Sequence, residues 1–527
     1  MKKSRSLTLK LGAALAAVLL VSSCSAEGES EGGEETFIVA VGTNPAQLNA
    51  GITTDNTTKY IGHAVFEELV TYTEDFTIVP RLATSWEAND DSTMFTFNLR
   101  EGATWHDGEP FTSEDVKFTF EEVLPLHPLG GALSNLVDRV ETPDAQTTVL
   151  YLSAPYGPTI ETMTSIVILP AHIYAGTDIL TNEANMTPIG TGPFKIDAFN
   201  VGDSVLLSPY SDYWGESSEI DQLVFKVMPD TSARTLALQS GEVDFVPPSF
   251  FALAQKEIVD ADERFESYLA SSQPQQLVMF YNSEKGTLAE YNVRQALLRA
   301  IDREAIAAKV YLGTADPARG PIPNQFSWAT DDSIDFVSQF AYDPEEAAEL
   351  LDAAGFPADA SGNRFSVTID YIAGNPIYGA IAELIKSDLA EIGVDVNLSG
   401  DDVNVFIESV FTQATFDLAI IELAGYADPN LGVARAYVCN ADDRPFQNAN
   451  NICDAEIDEA WQQAGSVSDR DVRVDFFADA EERIAETLGT APLVSAYQVG
   501  VINAEKWSGL EEFAQPSSWN WSALSAK

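Results

Sequence analysis

The stretch between residues 81 and 123 constrains the local fold more than any other part of the chain. Met94–Leu99 alternates apolar and polar residues, which is typical of a half-buried strand, and polar turns flank it on both sides. Thr112 and Asp115 have the spacing of a helix N-terminus, because a threonine hydroxyl can accept a hydrogen bond from the backbone N–H three residues later. The stretch therefore predicts a turn, a strand, a second turn and a capped helix.

Alternating strand and helix patterns continue through the second half of the chain. Residues 365–371 and 394–398 have the alternation of strands, and residues 377–392 between them have helical spacing. Gly393 follows that helix at the position where glycine commonly ends one. A repeated order of strand, helix and strand predicts the α/β fold class.

The chain is strongly acidic. Its 527 residues include 29 Lys and Arg against 81 Asp and Glu, so the formal net charge is −52. Such a field repels nucleic acids and anionic membrane surfaces, so neither is expected as a partner. The acidity does not identify a cationic ligand, because a solvated acidic coat serves solubility or salt tolerance equally well. A chain of this length is expected to form two or three domains.

The N-terminus is typical of an exported protein. Basic residues at 2, 3 and 5 precede an apolar run at 11–21, which is too short to span a membrane but fits a signal peptide. The sequence VSSC at 21–24 resembles a bacterial lipobox, which implies cleavage before Cys24 and lipid attached to that residue. Ordinary secretion with a free Cys24 is the alternative. The acidic, Gly-rich residues that follow predict a flexible tether. The expected location is the extracellular face of the cytoplasmic membrane, or the periplasm.

Two further cysteines, Cys439 and Cys453, enclose a polar loop. In an oxidising compartment such a pair is most simply a disulfide. A metal pair is the alternative, but no histidine lies nearby and the spacing fits no usual zinc motif. We expect a structural disulfide here and no metal site or cofactor.

The sequence contains no recognisable catalytic constellation. The four histidines, at 63, 106, 127 and 172, are far apart, and neither a nucleophile elbow, a zinc-protease motif nor a phosphate-binding loop is present. Some pair of carboxylates is inevitable among 81 acidic residues, so a secreted glycosidase or peptidase stays open as a remote alternative. The expectation is that the chain is not an enzyme.

Four motifs carry a resemblance to a known family. They are WHDG at 105–108, FTSEDV at 111–116, GTGPFKI at 190–196 and NVRQAL at 292–297. In order and spacing they are similar to those of the family 5 extracellular solute-binding proteins, the peptide/nickel-type receptors of bacterial ABC importers. The resemblance extends over nearly the whole mature chain.

The resemblance implies a periplasmic-binding-protein-like fold of the class II, or cluster C, type. Two α/β lobes joined by a hinge would close on the ligand, and a third domain would be inserted into the first lobe. A monomer that docks on separate permease subunits is expected, held to the membrane through its lipid alone. The implied divisions are a signal peptide at 1–23, a tether at 24–35, lobe I at 36–65 and 186–270, the inserted domain at 66–185, lobe II at 271–489, and a return to lobe I at 490–527.

The resemblance also suggests where a ligand binds. In peptide receptors of this family an aspartate in the loop after the strand that here ends at Glu422 binds the peptide amino terminus, and the matching position here is Gly425. Either Asp428 replaces that carboxylate, or the ligand is not a peptide with a free amine. Tyr426 is a candidate for stacking on a peptide or a sugar, and Arg435 for pairing with a ligand carboxylate or with a nearby acid.

Other cleft candidates follow from family position alone: Thr43, Asn44, Phe250, Phe251, Tyr281 and Asn282. Thr43 and Asn44 are equally well explained as turn residues. The predicted ligand is a di- or oligopeptide, and an oligosaccharide is the main alternative because aromatic, amide and carboxylate groups also suit hydroxyls. Direct metal capture, as in the nickel receptors, is disfavoured by the small number of histidines.

Overall fold

Three hydrophobic cores organise the part of the chain that the computed structural model describes, residues 35–331, 333–514 and 519–527. Residues 35–527 form one compact unit. The predicted signal peptide, the predicted lipidation site Cys24 and the predicted tether up to residue 34 lie outside the described residues. No helix in the described ranges is long and apolar enough to cross a membrane.

The strands have the following bounds: β1 Thr36–Val41, β2 Val70–Tyr72, β3 Ile78–Pro80, β4 Ala83–Ala88, β5 Met94–Leu99, β6 Val137–Asp144, β7 Thr147–Leu152, β8 Phe194–Asn200, β9 Ser204–Pro209, β10 Gln222–Val227, β11 Phe245–Val246, β12 Phe265–Tyr281, β13 Ala315–Pro317, β14 Phe365–Ile372, β15 Val394–Asp401, β16 Leu418–Ala424, β17 Thr490–Asn503, β18 Trp507–Ser508 and β19 Ser525–Ala526.

The α-helices have the following bounds: α1 Asn56–Val65, α2 Ser113–Phe118, α3 Gly131–Ser134, α4 Thr159–Met163, α5 Ala171–Tyr174, α6 Thr231–Ser240, α7 Lys256–Asp260, α8 Tyr291–Arg299, α9 Arg303–Lys309, α10 Phe336–Gln339, α11 Pro344–Ala353, α12 Pro376–Glu391, α13 Val403–Ile407, α14 Ala455–Ala464, α15 Arg470–Thr487 and α16 Leu510–Phe513. Short 3-10 turns join several of them, and α2 and α13 each continue into one π-helical turn.

Two long antiparallel strands, β12 and β17, connect the two larger cores. The lobe I core includes Phe37 and Phe245, and the lobe II core includes Met279 and Ile420. The first half of β12 pairs with the second half of β17 beside the lobe I core. The second half of β12 pairs with the first half of β17 beside the lobe II core. The register shifts between Ala270 and Gln275, at the point where β12 passes from one core to the other. Through these two strands a single sheet of eleven strands runs across both lobes.

The parallel parts of that sheet lie on either side of the connecting strands. In lobe II, β14 pairs in parallel with β15 and β16, and α12 packs against this group. In lobe I, β1 pairs in parallel with β10 and β11. This arrangement agrees with the α/β class, because parallel neighbours require a crossover that returns the chain to the same edge.

The inserted domain contains the stretch from which the sequence argument began. A four-stranded antiparallel sheet, in the order β4–β5–β7–β6, packs against α2, and Phe95, Phe97 and Trp105 are fully buried between them. The Asp115 carboxylate accepts a hydrogen bond of 2.9 Å from the backbone N–H of Thr112 and caps α2. It also accepts one from the indole N–H of Trp105, so the helix start is tied directly to the core. The predicted strand and helix of this stretch are both present.

Cys439 and Cys453 form a disulfide, with Cα atoms 4.6 Å apart and a sequence separation of 14 residues. The loop that it closes lies between β16 and α14, in lobe II. A bridge of this kind stabilises mainly by limiting the freedom of the unfolded chain.

We expect replacement of both cysteines by serine to lower the free energy of unfolding by about 3 kcal/mol, the amount typical of a closed loop of this length. Urea denaturation of the wild type and the double variant measures the difference. A reductant should destabilise the wild type by a similar amount and leave the double variant unchanged. Equal stability of the two proteins under oxidising conditions would contradict a stabilising role.

Candidate functional site

A cavity of about 780 Å³ lies between the lobes, beside the strands that connect them. Lobe I contributes Ser249 and Phe251, and the connecting strands contribute Gln275, Tyr497 and Gln498. Lobe II contributes residues from the end of α9 and the segment after it, from the start of α12 and from β16: Lys309, Val310, Tyr311, Leu312, Asn375, Pro376, Ile377, Ala380 and Glu422. The cavity thus combines apolar walls with amide, hydroxyl and carboxylate groups, as small-molecule sites commonly do.

Two carboxylates, Glu257 and Glu422, line this cavity, and Glu422 is the more buried of them. It lies near the end of β16, is half-buried, and accepts a hydrogen bond of 2.8 Å from the Tyr311 hydroxyl to Oε1. Its backbone N–H donates to the Tyr378 hydroxyl. Burial raises the pKa of Glu422 from its ordinary value, while the hydrogen bonds from the two tyrosines oppose that shift. Sequence analysis did not select this residue, because its partners come from two distant parts of the chain.

A second, much smaller cavity, of about 40 Å³, is enclosed by all three parts of the molecule. Helix α1 contributes Lys59 and His63, the inserted domain contributes Glu68 and His127, and the loop after β16 contributes Tyr426. Burial raises the pKa of Glu68 to about 7, with Arg81 opposing the shift. Burial lowers the pKa of His127 to about 4 and also lowers that of Lys59. The predicted site residue Tyr426 is therefore at a cavity wall.

The cleft candidates of lobe I have different environments. Phe251 lines the larger cavity. Phe250 is buried against Tyr60, with ring centroids 5.8 Å apart, and its carbonyl accepts a hydrogen bond from Arg234. Thr43 bonds the Thr57 hydroxyl, and Asn44 accepts from the backbone N–H of residue 202. Phe250, Thr43 and Asn44 line neither cavity, and their hydrogen bonds stabilise the local structure.

Tyr281 and Asn282 are not ligand groups in this structure, which corrects the prediction. Both are fully buried in the lobe II core. The Tyr281 hydroxyl donates to the carbonyl of Arg294, and the Asn282 amide donates to the carbonyls of Ala414 and Phe416 at 2.8 and 2.9 Å. These side chains join β12 to neighbouring segments, a role that family position could not distinguish from ligand contact.

Asp428 is also not free to bind a ligand. Its carboxylate and the guanidinium of Arg473 are both fully buried, with contacts of 2.6 and 2.7 Å between two pairs of atoms. Arg473 in turn donates to the carbonyl of Ala464, so the pair holds the loop after β16 against α14 and α15. A buried charge without its partner is costly, which explains why this carboxylate pairs internally. The hypothesis that Asp428 replaces the family's amine-binding aspartate is wrong in this structure.

The position of Gly425 is tightly packed as well. A side chain at this position would begin 3.1 Å from the ring of Phe326 and 3.4 Å from Val433. Arg435 donates to the carbonyl of Ala424 and lines neither cavity, and no acidic residue forms an ion pair with it within the described ranges. Neither of the two roles considered for Arg435 is therefore observed.

The inserted domain and lobe II are in direct contact. Arg470, at the start of α15, forms an ion pair of 3.2 Å with Glu161 and donates to the carbonyl of Phe76 at 2.7 Å. The ring of Phe76 packs against that of Phe326, with centroids 4.6 Å apart. The backbone N–H of Gly157 donates to the carbonyl of Gly465. We call Phe76, Glu161, Phe326 and Arg470 the closure contact.

Comparison with known proteins identifies the family to which this fold belongs. Residues 77–443 match the profile of the bacterial extracellular solute-binding proteins, family 5. The chain belongs to this family. It is 27% identical to the dipeptide-binding protein of Escherichia coli over 509 residues, which cover 90% of each chain. Because the family consists of receptors, this family 5 protein is a solute-binding component of an ABC importer that acts outside the cytoplasm, and it is not an enzyme.

Two solved structures show the same fold. The ABC transporter substrate-binding protein CtaP from Listeria monocytogenes superimposes with a TM-score of 0.82 at 25% identity, covering 94% of this chain and all of that one. NikA from Brucella suis, in complex with Fe(III)-EDTA, superimposes with a TM-score of 0.79 at 25% identity, covering 93% of this chain and all of NikA. The two-lobed fold with an added domain is thereby confirmed.

We expect Asp428→Ala to lower the free energy of unfolding by about 3 to 5 kcal/mol, because it leaves the buried Arg473 charge without a partner. Urea denaturation measures the loss. Asp475→Ala, an exposed aspartate on the helix that carries Arg473, is the control and should stay within about 0.5 kcal/mol of the wild type. A variant that kept its stability but lost ligand binding would instead restore Asp428 as a ligand group.

We expect Arg470→Met to shift the unliganded protein toward an open form, since charge-assisted hydrogen bonds contribute about 1.5 to 3 kcal/mol each. Small-angle X-ray scattering should report a larger radius of gyration. Arg483→Met is the matched control, because Arg483 is on the same helix but pairs within lobe II, with Asp454 and Glu486. Identical scattering from the wild type and Arg470→Met would show that the closure contact does not hold the lobes together.

Proposed function

We propose that this family 5 protein captures peptides in the cavity between its lobes and delivers them to the permease of an ABC importer. The observation that carries the proposal is the cavity of about 780 Å³, built from both lobes and from the strands that connect them. Its size lies within the range of about 300 to 1,000 Å³ that is usual for sites of small ligands. A ligand there contacts both lobes at once, so its binding free energy favours the closed form.

The lining supports a peptide. Ser249, Gln275 and Gln498 provide hydroxyl and amide groups for the polar backbone of a peptide, and Phe251 and Tyr497 provide apolar surface for its side chains. The dipeptide-binding protein of Escherichia coli is similar over nearly the whole chain. An oligosaccharide would use the same kinds of group, and is therefore an outcome that the experiment must distinguish.

A metal chelate is a further outcome to distinguish, because NikA from Brucella suis shares the fold. No group of three or more histidine, cysteine, aspartate or glutamate side chains with metal-binding geometry occurs in the described part of the chain. A chelate would therefore be bound through its organic ligand by this cavity.

The proposal also covers the membrane anchor, the oligomeric state and the domain divisions. We propose that Cys24 carries a lipid that anchors the protein at the outer face of the cytoplasmic membrane, and that residues 24–35 form the tether. The protein would act as a monomer, with lobe I at 36–65, 186–270 and 490–527, the inserted domain at 66–185 and lobe II at 271–489. The three cores support these divisions, since most members of each core fall within one of them.

The test is a thermal-shift screen of the chain from Ser25 onward against tripeptides, oligosaccharides and the nickel–histidine chelate. A ligand at a hundred times its dissociation constant stabilises by about 2.7 kcal/mol, which raises the melting temperature measurably. We expect peptides to give the shift. A response to sugars or chelates alone would overturn the peptide assignment.

The variant Ala380→Trp tests whether the peptide binds in the large cavity. Ala380 is exposed on α12 and lines the cavity, so we expect an indole there to fill the space and abolish the peptide-induced shift without loss of stability. Ala390→Trp is the matched control, because Ala390 is exposed on the same helix and does not line the cavity. Retention of the full shift in Ala380→Trp would place the ligand elsewhere.

A further inference from the structure

The larger cavity contains a carboxylate whose charge is not balanced by the protein. Glu422 is half-buried, and its Oε1 accepts a hydrogen bond from the Tyr311 hydroxyl. Over residues 35–331, 333–514 and 519–527, no lysine, arginine or histidine forms an ion pair with it. Buried carboxylates in proteins are normally paired with a cation or held neutral. A cation that enters the cavity would supply the missing charge.

The other charged groups that line this cavity neither neutralise Glu422 nor form a buried site for a cation. Lys309 and Glu257 line it as well, but both side chains belong to exposed residues, where water screens them. Glu422, in contrast, has the Tyr311 and Tyr378 hydroxyls on its protein side. The Tyr311 hydroxyl donates to the carboxylate, and the Tyr378 hydroxyl accepts from the backbone N–H of Glu422. Neither tyrosine supplies a positive charge, which leaves the carboxylate available to a cationic group of a ligand.

The neighbouring carboxylate on the same segment is already used. Asp428 forms its buried ion pair with Arg473, and position 425 is a glycine, which has no side chain to offer. Glu422 is thus the acidic side chain from β16 and its following loop that faces the cavity with an unpaired charge.

We propose that Glu422 determines ligand specificity by binding a cationic group of the ligand, an ammonium or a guanidinium. The inference rests on the proposed peptide function and refines it. In a peptide the cation is either the free amino terminus or the side chain of lysine or arginine. Both have the same chemistry, and both can donate two or more hydrogen bonds to a carboxylate.

The test uses purified protein that contains all of residues 35–527 and an equimolar tripeptide library. Every sequence of the library is present with a free and with an N-acetylated amino terminus, and some contain lysine or arginine. Mass spectrometry identifies the peptides that the protein retains, and calorimetry gives dissociation constants for the best of them. We expect at least tenfold tighter binding of peptides that carry a cation than of the matched peptides that lack one.

Two variants assign that preference to one residue. Glu422→Gln keeps the size of the side chain and its hydrogen bond with Tyr311 but removes the charge, so it should bind cationic and capped peptides equally. Glu383→Gln, an exposed carboxylate on α12 that does not line the cavity, is the control and should keep the wild-type preference. Melting temperatures of both variants establish that they are folded. Acetylated peptides with and without lysine or arginine distinguish the amino terminus from a side chain as the source of the cation.

The outcomes separate this inference from the proposed function. If the wild type retains free and capped peptides equally, or if Glu422→Gln keeps the preference for cations, the inference is overturned while peptide capture stands. If the wild type retains no peptide at all, both fall. Because the capped peptides are tested on the wild type, the first of these results does not depend on any variant.

Discussion

The pairing of β12 with β17 is the constraint on which the rest of the structure depends. Each strand begins in one core and ends in the other, so the backbone hydrogen bonds between them fix the position of lobe I relative to lobe II. The larger cavity lies beside these strands and takes Gln275, Tyr497 and Gln498 directly from them. Under the proposed function, a ligand there would contact the connection itself as well as both lobes, so its binding would be coupled to closure.

Charge is distributed in this protein according to burial. Asp428 and Arg473 are fully buried and neutralise each other, and they stabilise the loop that follows β16. Glu422, only six residues earlier, contacts two neutral tyrosines and lines the cavity, with no ion-pair partner in the described part of the chain. The same short segment therefore contains one carboxylate committed to the fold and one available for recognition. The overall charge of −52 adds a field that favours the approach of cations over anions.

The closure contact and the cavity are built from different parts of the molecule. Arg470 and Glu161 join lobe II to the inserted domain, whereas the large cavity is bounded by lobe I, lobe II and the connecting strands. Protein–protein contacts and protein–ligand contacts can thus both favour the closed form. A ligand shifts the balance only by the difference between its affinities for the two forms, so a strong closure contact would lower the amount of binding energy needed for closure.

The sequence by itself determined the local elements and the family. The alternation at Met94–Leu99 and the cap at Thr112 depend on residues close together in the chain, and both appear in the structure as the pattern predicts. The family motifs are likewise local, and they identified the two-lobed receptor before any contact was known. Of the cleft candidates, Phe251 and Tyr426 do line cavities.

Only the tertiary structure decided which polar groups face the large cavity. Asp428 and Glu422 are both acidic residues near the end of one strand, and nothing in their sequence neighbourhood separates them. The difference arises because α15 brings Arg473 to Asp428, whereas the segment after α9 and helix α12 bring Tyr311 and Tyr378 to Glu422. Burial and the identity of a distant partner set the role of a charged side chain, and both are properties of the packed chain rather than of its order of residues.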